Sequence, residues 1–490
     1  MNVVRKASEL LWDGRTLGSL GAISLRYFNP AVSMPQPPSP DEATYLALAD
    51  SMADGGFSVW HDVYDPAPVE VHRTHGYPAF LLAVRSISGS RHFLGLVQGV
   101  LYLFALWLVV RWLRGLENGV FLSNLFLLLM VAQIQLLRYV GQVFPETLMV
   151  LFLTAYALSL NGGAHLGRDR WLLMVLLAAS YWVRPISMLL PAFVLVGDLL
   201  LQPKSQRWHS ARGHVMVAIG FVLLGPLPFA LWNWKNHGYF RPHPLTGSAV
   251  ISNLGIWQLR LPGYGTVHYF QYNTFGRELI PWVDEEEASH HFDRYQAQWE
   301  RIEQRAAPAM TPEDRERVPV MMEHPTLWAT RSPGYTRALD DAIRKENVSM
   351  IKAEPWYYLA TRMYTAVRLW VTNVNLPMEE VVYRPSPGIY PRVGKPAGSI
   401  GWIKVLTPCA ITFITFGVGL PFIVLSIFRD RRRWYERRYL LMVIAYVWLI
   451  HVPMLIQSRY TVPVHVLAVL CLTLAIADRQ GTRSHPGAVT

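Results

Sequence analysis

Long apolar runs recur along this sequence and restrict its fold more than any other feature. A helix needs about 20 mostly apolar residues to cross a bilayer. About nine runs reach or approach that length: 94–113, 119–138, 144–161, 170–184, 185–202, 214–234, 404–428, 439–456 and 459–478. The pattern predicts an α-helical multi-span membrane protein with about 9–10 transmembrane helices.

The composition agrees with a membrane protein. Hydrophobic residues make up 52% of the chain and charged residues only 16%. The net charge of +11 falls in short clusters between apolar runs. That distribution is typical of membrane topology and argues against a nucleic-acid partner. Both cysteines, Cys409 and Cys471, lie inside apolar runs, which excludes a disulfide framework.

A further candidate span, residues 7–28, is interrupted by charged side chains. Glu9, Asp13, Arg15 and Arg26 break its apolar pattern. A helix of this kind either crosses the bilayer weakly or lies in its interface. Both alternatives stay open from the sequence.

The basic segments orient the chain, because Lys and Arg near transmembrane helices are retained in the cytoplasm. The segment 429–438, "RDRRRWYERR", is therefore expected inside. Alternation from there places further basic segments on the same side: 114–118, 162–170, 202–214 and the C-terminus. Two large segments, 29–93 and 235–403, then lie outside.

This topology divides the chain into six parts. They are an N-terminal segment 1–38, a first periplasmic loop 39–93, a transmembrane core 94–234, a large periplasmic loop domain 235–403 of mixed or helical structure, C-terminal transmembrane helices 404–478 and a cytoplasmic tail 479–490. The large loop is too long for an idle connection. It contains two predicted helices, about 284–306 and about 338–373, and the second is expected along the membrane surface.

Several basic residues occupy the outer ends of spans, where the positive-inside rule disfavours them. They are Arg138, Arg184, Lys235 and Arg459, and Arg73 and His75 fall near the same plane. Each of the first four alone is explained by snorkelling to lipid headgroups. Together they favour a shared anionic ligand such as a phosphate, which guanidinium groups bind in bidentate fashion.

Carboxylates are expected at the same depth. Asp41 and Glu42 begin a predicted helix in the first outer loop, and Glu146 follows Pro145 at the start of a span. Helix capping and the helix dipole account for each acid taken singly. These carboxylates are expected on the same side of the membrane as the basic residues, which favours a reactive centre. A residue can both cap a helix and belong to that centre.

Six stretches resemble a known family. They are "PDEATYLALADSMADGG", "HRTHGYPAFLLAV", "FPETLMVLFLTAY", "SYWVRPISMLLP", "NWKNHGYFRPHPLTG" and "QSRYTVPVHVLAVL". In this order they resemble integral-membrane glycosyltransferases of the GT-C class, in particular relatives of protein O-mannosyltransferases and the aminoarabinose transferase. The resemblance covers about 39–260 and 404–478. His75 departs from it, because proline is usual there, and the weak first span departs as well.

The resemblance implies an inverting glycosyltransferase of the bacterial inner membrane with its active site facing the periplasm. The donor would be a sugar linked to polyprenyl phosphate. The acceptor would be a hydroxyl group of a glycan, lipid or protein, and membrane lipids would surround the enzyme. Asp41 would be the general base, with Glu42 and Glu146 as further catalytic carboxylates. One base suffices for such a reaction, because phosphate is already a good leaving group.

The resemblance also suggests roles for the other candidates. The donor phosphate would be bound by Arg138, Arg184, Lys235, Arg459 and Arg73. The sugar and acceptor pocket would be lined by Tyr45, His75, Tyr139 and Tyr460. A divalent cation, Mg²⁺ or Mn²⁺, is compatible with this class, and the sequence identifies no metal ligands.

Two other functions fit outward-facing basic residues. A transporter or flippase for an anionic lipid-linked sugar would need them as well, although it accounts less well for the acidic pair and the large loop. A transferase of the O-antigen ligase type would work without a carboxylate base. A sugar-transfer assay separates these alternatives.

Overall fold

The computed structural model describes residues 40–59, 69–70, 73–133, 139–242, 300–315, 332–353, 355–371, 410–411, 413–453 and 460–481. These ranges contain helices, turns and no strand. Several predictions lie outside them: the weak span 7–28, most of the helix 284–306, and the side chains of Asp41, Arg138 and Arg459.

The helices follow the apolar runs. In chain order they are α1 (Pro40–Ala53), α2 (Gly76–Arg85), α3 (Arg91–Arg114), α4 (Gly119–Ala132), α5 (Glu146–Asn161), α6 (Arg170–Val183), α7 (Leu190–Leu201), α8 (Lys204–Leu224), α9 (Pro226–His237), α10 (Pro333–Ala353), α11 (Pro355–Val371), α12 (Gly419–Arg429), α13 (Arg431–Glu436), α14 (Arg438–His451) and α15 (Val462–Gly481). A short π-helix, Phe413–Val418, leads into α12.

Helix α5 forms the centre of the bundle. It packs against α3, α6, α14 and α15. Most of its side chains are buried, including the first residue, Glu146. A helix that is apolar all round is stable only inside a larger structure, and here other helices cover it. Any group at the start of α5 is therefore enclosed by several elements.

Three helical segments are long and apolar enough to cross a membrane: Arg91–Arg114, Lys204–His237 and Val462–Arg479. Shorter apolar helices of 10–17 residues lie within the other predicted runs. Large apolar side chains such as Phe104, Ile219 and Leu223 point outward. Exposed apolar surface of this kind suits a lipid environment. The full number of spans stays a prediction.

The predicted break at Arg184 is present in the structure. α6 ends at Val183, Arg184 is extended, and a 3₁₀ turn covers Pro185–Ser187. Proline disfavours helical backbone in the residue before it, which explains the extended conformation. The break places the Arg184 side chain at the end of the bundle rather than on a continuous helix.

The bundle has two distinct ends. The Glu146 end contains the start of α5 and the end of α6, joined by a contact between Glu146 and Arg184. The Asp198 end contains the end of α7 and the start of α14, joined by a contact between Asp198 and Arg438. Three basic segments that the topology predicts on one side, 162–170, 202–214 and 429–438, meet at the Asp198 end.

The described parts of the large loop form two units. Ile302, Tyr335 and Leu339 belong to a small separate core under α10. α11 is attached to the bundle, since Trp448 Nε1 donates to the Ala366 carbonyl at 2.8 Å. The sequence predicts one helix over 338–373, whereas the structure has α10 and α11 on either side of residue 354. Proline at the start of α11 explains why one continuous helix is disfavoured.

Gly76 fixes α2 against the end of α6. A Cβ atom at this position would lie 2.5 Å from the carbonyl carbon of Trp182. Only glycine permits so close an approach of two backbones. This contact holds α2 beside Arg184.

We predict that Gly76→Ala destabilises the protein, because the added methyl group collides with backbone rather than with a movable side chain. The cost of such overpacking is about 1–3 kcal/mol. Gly89→Ala is the control, since no atom lies within 4 Å of the added Cβ there. Thermal unfolding of the purified protein in detergent measures the difference. Equal melting temperatures for the two variants would show that α2 and α6 are not in tight contact.

Candidate functional site

A buried ion pair lies at the Glu146 end of the bundle. Arg184 Nη1 is 3.1 Å from Glu146 Oε1. The Glu146 side chain is 1% exposed and that of Arg184 is 16% exposed. The second carboxylate oxygen, Glu146 Oε2, is buried and has no hydrogen-bond partner among the described residues. The pair is thus held by the protein while one acidic oxygen remains available.

Aromatic rings from the C-terminal part of the chain complete the surroundings of Arg184. Its guanidinium carbon lies 5.1 Å from the centre of the Tyr460 ring, within the range of a cation–π contact. Tyr460 in turn stacks on His451, with 4.8 Å between ring centres. Three regions far apart in sequence, near residues 146, 184 and 460, therefore meet here.

Glu42 attaches α1 to the segment that precedes α5. The backbone N–H of Val143 donates to Glu42 Oε1 at 3.0 Å. Val143 is three residues before Glu146, so the start of α1 lies beside the start of α5. Asp41 adjoins Glu42 in the chain, and its side chain is outside the described residues. The backbone of the acidic pair is thus at the same end as the Glu146–Arg184 pair.

Arg73 and Tyr45 form part of the wall next to Glu42. The Arg73 guanidinium lies over the Tyr45 ring at 5.5 Å. Tyr45 contacts Tyr77 edge to face, with ring centres 4.9 Å apart. Tyr77 donates a hydrogen bond to Gln98, and Gln98 donates to the carbonyl of Val140 at 2.9 Å. These contacts connect α1 and α2 with the segment that enters α5.

His75 occupies an aromatic cluster. It stacks on Phe57 at 3.8 Å and meets Trp232 edge to face at 4.5 Å. Burial lowers its pKa to about 4. The imidazole is therefore neutral at neutral pH and adds no positive charge for a phosphate. The predicted role of His75 in the pocket stays a prediction.

The remaining predicted site residues are Tyr139, Lys235, Arg138 and Arg459. Tyr139 is buried, with its ring 6.4 Å from that of Phe144. Lys235 is exposed near the end of α9. Arg138 and Arg459 lie outside the described residues. The structure thus brings Glu42, Tyr45, Arg73, Glu146, Arg184 and Tyr460 to one end of the bundle.

Three residues near this site were missed by the sequence interpretation. Tyr77 and Gln98 form the hydrogen-bonded link described above, and His451 supports Tyr460. Gln98 and His451 stand inside apolar runs, and a polar residue in such a run is a functional or structural signal. Tyr77 carries no comparable signal, since an aromatic residue beside a proline is common near membrane interfaces.

The arrangement suits a reaction in which a carboxylate accepts a proton and a guanidinium binds a phosphate. A carboxylate can accept a proton from a hydroxyl group as a general base. A guanidinium with donors left over can bind a phosphate beside its carboxylate partner. Both kinds of group are present at the Glu146 end, within a largely apolar bundle.

Comparisons with known proteins find weak similarity to two solved structures. No family model and no curated protein matches the chain. Two solved structures are similar at low level, both of ArnT from Cupriavidus metallidurans. The apo form is 12% identical, with a TM-score of 0.36, covering 94% of this chain and 77% of that chain. The form bound to undecaprenyl phosphate is 11% identical, with a TM-score of 0.37, covering 96% of this chain and 79% of that chain. At these values the likeness assigns neither fold nor activity.

We predict that Glu146 and Arg184 are energetically coupled. Arg184→Leu leaves a buried carboxylate without its partner, which costs about 3–5 kcal/mol. Adding Glu146→Leu removes that charge, so the double variant should regain part of the lost stability. The coupling should be about 1–3 kcal/mol in a double-mutant cycle. The free energies of unfolding of the four proteins in mixed micelles measure it. Additive effects of the two substitutions would contradict the pairing.

Proposed function

We propose that this chain is an inverting glycosyltransferase of the GT-C class. In this proposal it moves a sugar from a polyprenyl-phosphate-linked donor to an acceptor hydroxyl at the outer face of a bacterial inner membrane. The acceptor is a glycan, lipid or protein. The observation that carries the proposal is the convergence of acidic and basic residues from separate regions on the Glu146 end of an apolar helical bundle.

The reaction requires one proton acceptor. The acceptor oxygen attacks the anomeric carbon of the sugar, its proton passes to the Asp41 carboxylate, and the bond from that carbon to the phosphate oxygen breaks. The sugar is attacked on the face opposite the leaving group, which inverts the anomeric configuration. Glu42, held by the Val143 N–H, fixes the start of α1 and so positions Asp41.

The leaving group departs as polyprenyl phosphate and gains negative charge. Positive groups fixed in advance stabilise that charge without reorganisation during the reaction. Arg184 fills this role at the Glu146 end, because one of its nitrogens contacts Glu146 and its other donors remain for phosphate. Arg73, Arg138, Lys235 and Arg459 are the further phosphate ligands of the proposal. Tyr45, His75, Tyr139 and Tyr460 contribute to the sugar and acceptor pocket.

A bound Mg²⁺ or Mn²⁺ is a separate part of the proposal. Such ions take several oxygen ligands. Glu146 Oε2 is one suitable oxygen, buried and without a hydrogen-bond partner among the described residues. A cation bound there would add positive charge beside the donor phosphate. The steps above proceed on the protein groups alone.

We predict that Asp41→Asn lowers kcat for sugar transfer by about 10²–10⁴-fold, the usual contribution of a general base. The matched control is Asp54→Asn, since Asp54 is exposed just beyond the other end of α1. The assay uses purified protein in lipid nanodiscs with a polyprenyl-phosphate sugar donor and a hydroxyl acceptor. Thermal unfolding checks that the variant is folded.

Two results would contradict the proposal in different ways. Full transfer by folded Asp41→Asn would remove Asp41 as the base and favour a mechanism of the O-antigen ligase type. Movement of labelled lipid-linked sugar across proteoliposomes without any transfer would show a transporter or flippase instead.

A further inference from the structure

A second polar cluster lies at the Asp198 end of the bundle. His165 is in the turn after α5, Asp198 is near the end of α7, and His214 is in α8. α5 is 16 residues long. At 1.5 Å per residue it separates this cluster from Glu146 by about 24 Å. The cluster is therefore independent of the proposed transfer site.

These three residues are buried and close together, as the ligands of a bound metal ion are. All are buried, with exposures of 2% for His165, 1% for Asp198 and 3% for His214. One potential ligand atom from each lies within 4.8 Å of the others. His214 Nε2 is 3.4 Å from Asp198 Oδ2. The two imidazole rings are nearly parallel, with centres 4.4 Å apart, so one ring must turn for both Nε2 atoms to bind one ion.

Oxygen atoms of Ser210 and Tyr439 complete the cluster. The Tyr439 hydroxyl lies 3.2 Å from His165 Nε2 and 3.4 Å from His214 Nε2. Ser210 Oγ lies 3.4 Å from His165 Nε2 and donates a hydrogen bond to Asp198 Oδ2. Ligands at 2.0–2.1 Å from a tetrahedral zinc ion are separated from one another by about 3.4 Å. The separation between His214 Nε2 and Asp198 Oδ2, 3.4 Å, matches this spacing.

We propose that this cluster is a structural site for a divalent transition-metal ion of the zinc type. The ligands are Nε2 of His165, Nε2 of His214 and Oδ2 of Asp198. The fourth position falls to a hydroxyl oxygen of Tyr439 or Ser210. Two imidazoles and a carboxylate are donors that zinc accepts. Since all three ligands are buried, the site is closed and serves the fold rather than catalysis.

The groups around Asp198 support this assignment. Its other oxygen, Oδ1, receives hydrogen bonds from Arg438 Nε at 2.7 Å and from the Tyr439 hydroxyl at 2.9 Å. Gln202 Nε2 donates to the same oxygen at 3.3 Å. Metal-ligating carboxylates are oriented by hydrogen bonds to the oxygen that does not bind the ion. Oδ2 faces His214 and accepts the hydrogen bond from Ser210, which a bound ion would replace.

A metal here would join four elements: the turn after α5, α7, α8 and α14. The turn approaches α8 closely, because a Cβ at Gly213 would lie 2.4 Å from the His165 carbonyl oxygen. Glycine at 213 therefore allows His165 to reach the cluster. Without a metal ion, the same side chains form a hydrogen-bonded network. Measuring the metal content of the protein distinguishes the metal-bound cluster from that network.

The test measures zinc bound to the full chain, purified in detergent with an affinity tag that contains no histidine. The protein is treated with EDTA, reloaded with Zn²⁺, desalted and analysed by mass spectrometry for metals. We expect about one zinc ion per chain. His165→Ala and His214→Ala should lose it. His209→Ala is the matched control, because His209 is exposed on the same helix as His214 and should keep the ion. EDTA should also lower the melting temperature of the wild type.

Two outcomes would overturn the proposal: a folded wild type that retains no zinc, or equal zinc in the wild type and in both histidine variants. If the variants fail to fold, Co²⁺ replaces Zn²⁺ in the wild type. A strong visible absorption, typical of four-coordinate cobalt, is expected, and a weak six-coordinate spectrum would contradict the site. Sugar transfer plays no part in these readouts, so they succeed or fail separately from the proposed function.

Discussion

The buried ion pair between Glu146 and Arg184 determines how the Glu146 end of this protein is built. A carboxylate that is 1% exposed needs a partner, because an unpaired charge in an apolar bundle is very costly. The partner is available because Pro185 ends α6 and leaves Arg184 extended beside the start of α5. Tyr460 then covers the guanidinium from the C-terminal part of the chain.

Helices α1 and α2 are attached beside this ion pair by contacts of other kinds. Gly76 lets α2 touch the end of α6, and Glu42 accepts a hydrogen bond from Val143 just ahead of α5. α1 is thus fixed at its first turn, where a base must be held in place if it is to act on a bound hydroxyl. Glu42 and Glu146 lie in the first turns of their helices, and their part in a reactive site stays a prediction.

Much of the fold follows from sequence because apolar run length and proline positions are local signals. The break at Arg184 and the helix beginning after Pro145 are of this kind. The sequence predicts only that Glu146 and Arg184 lie at the same depth in the membrane. No local pattern identifies which side chains pair with each other. His165, Asp198 and His214 have no motif spacing, and only the packing of α5, α7 and α8 brings them together. The division near residue 354 was missed although Pro355 is a local signal for it.

We propose that the Glu146 end binds a polyprenyl phosphate through Arg184. The most direct measurement is an electron cryomicroscopy structure of the full chain in nanodiscs with a polyprenyl phosphate bound. We expect phosphate oxygens about 3 Å from the Arg184 guanidinium, beside the start of α5. A phosphate bound at the Asp198 end, or at the Glu146 end but out of reach of Arg184, would contradict it.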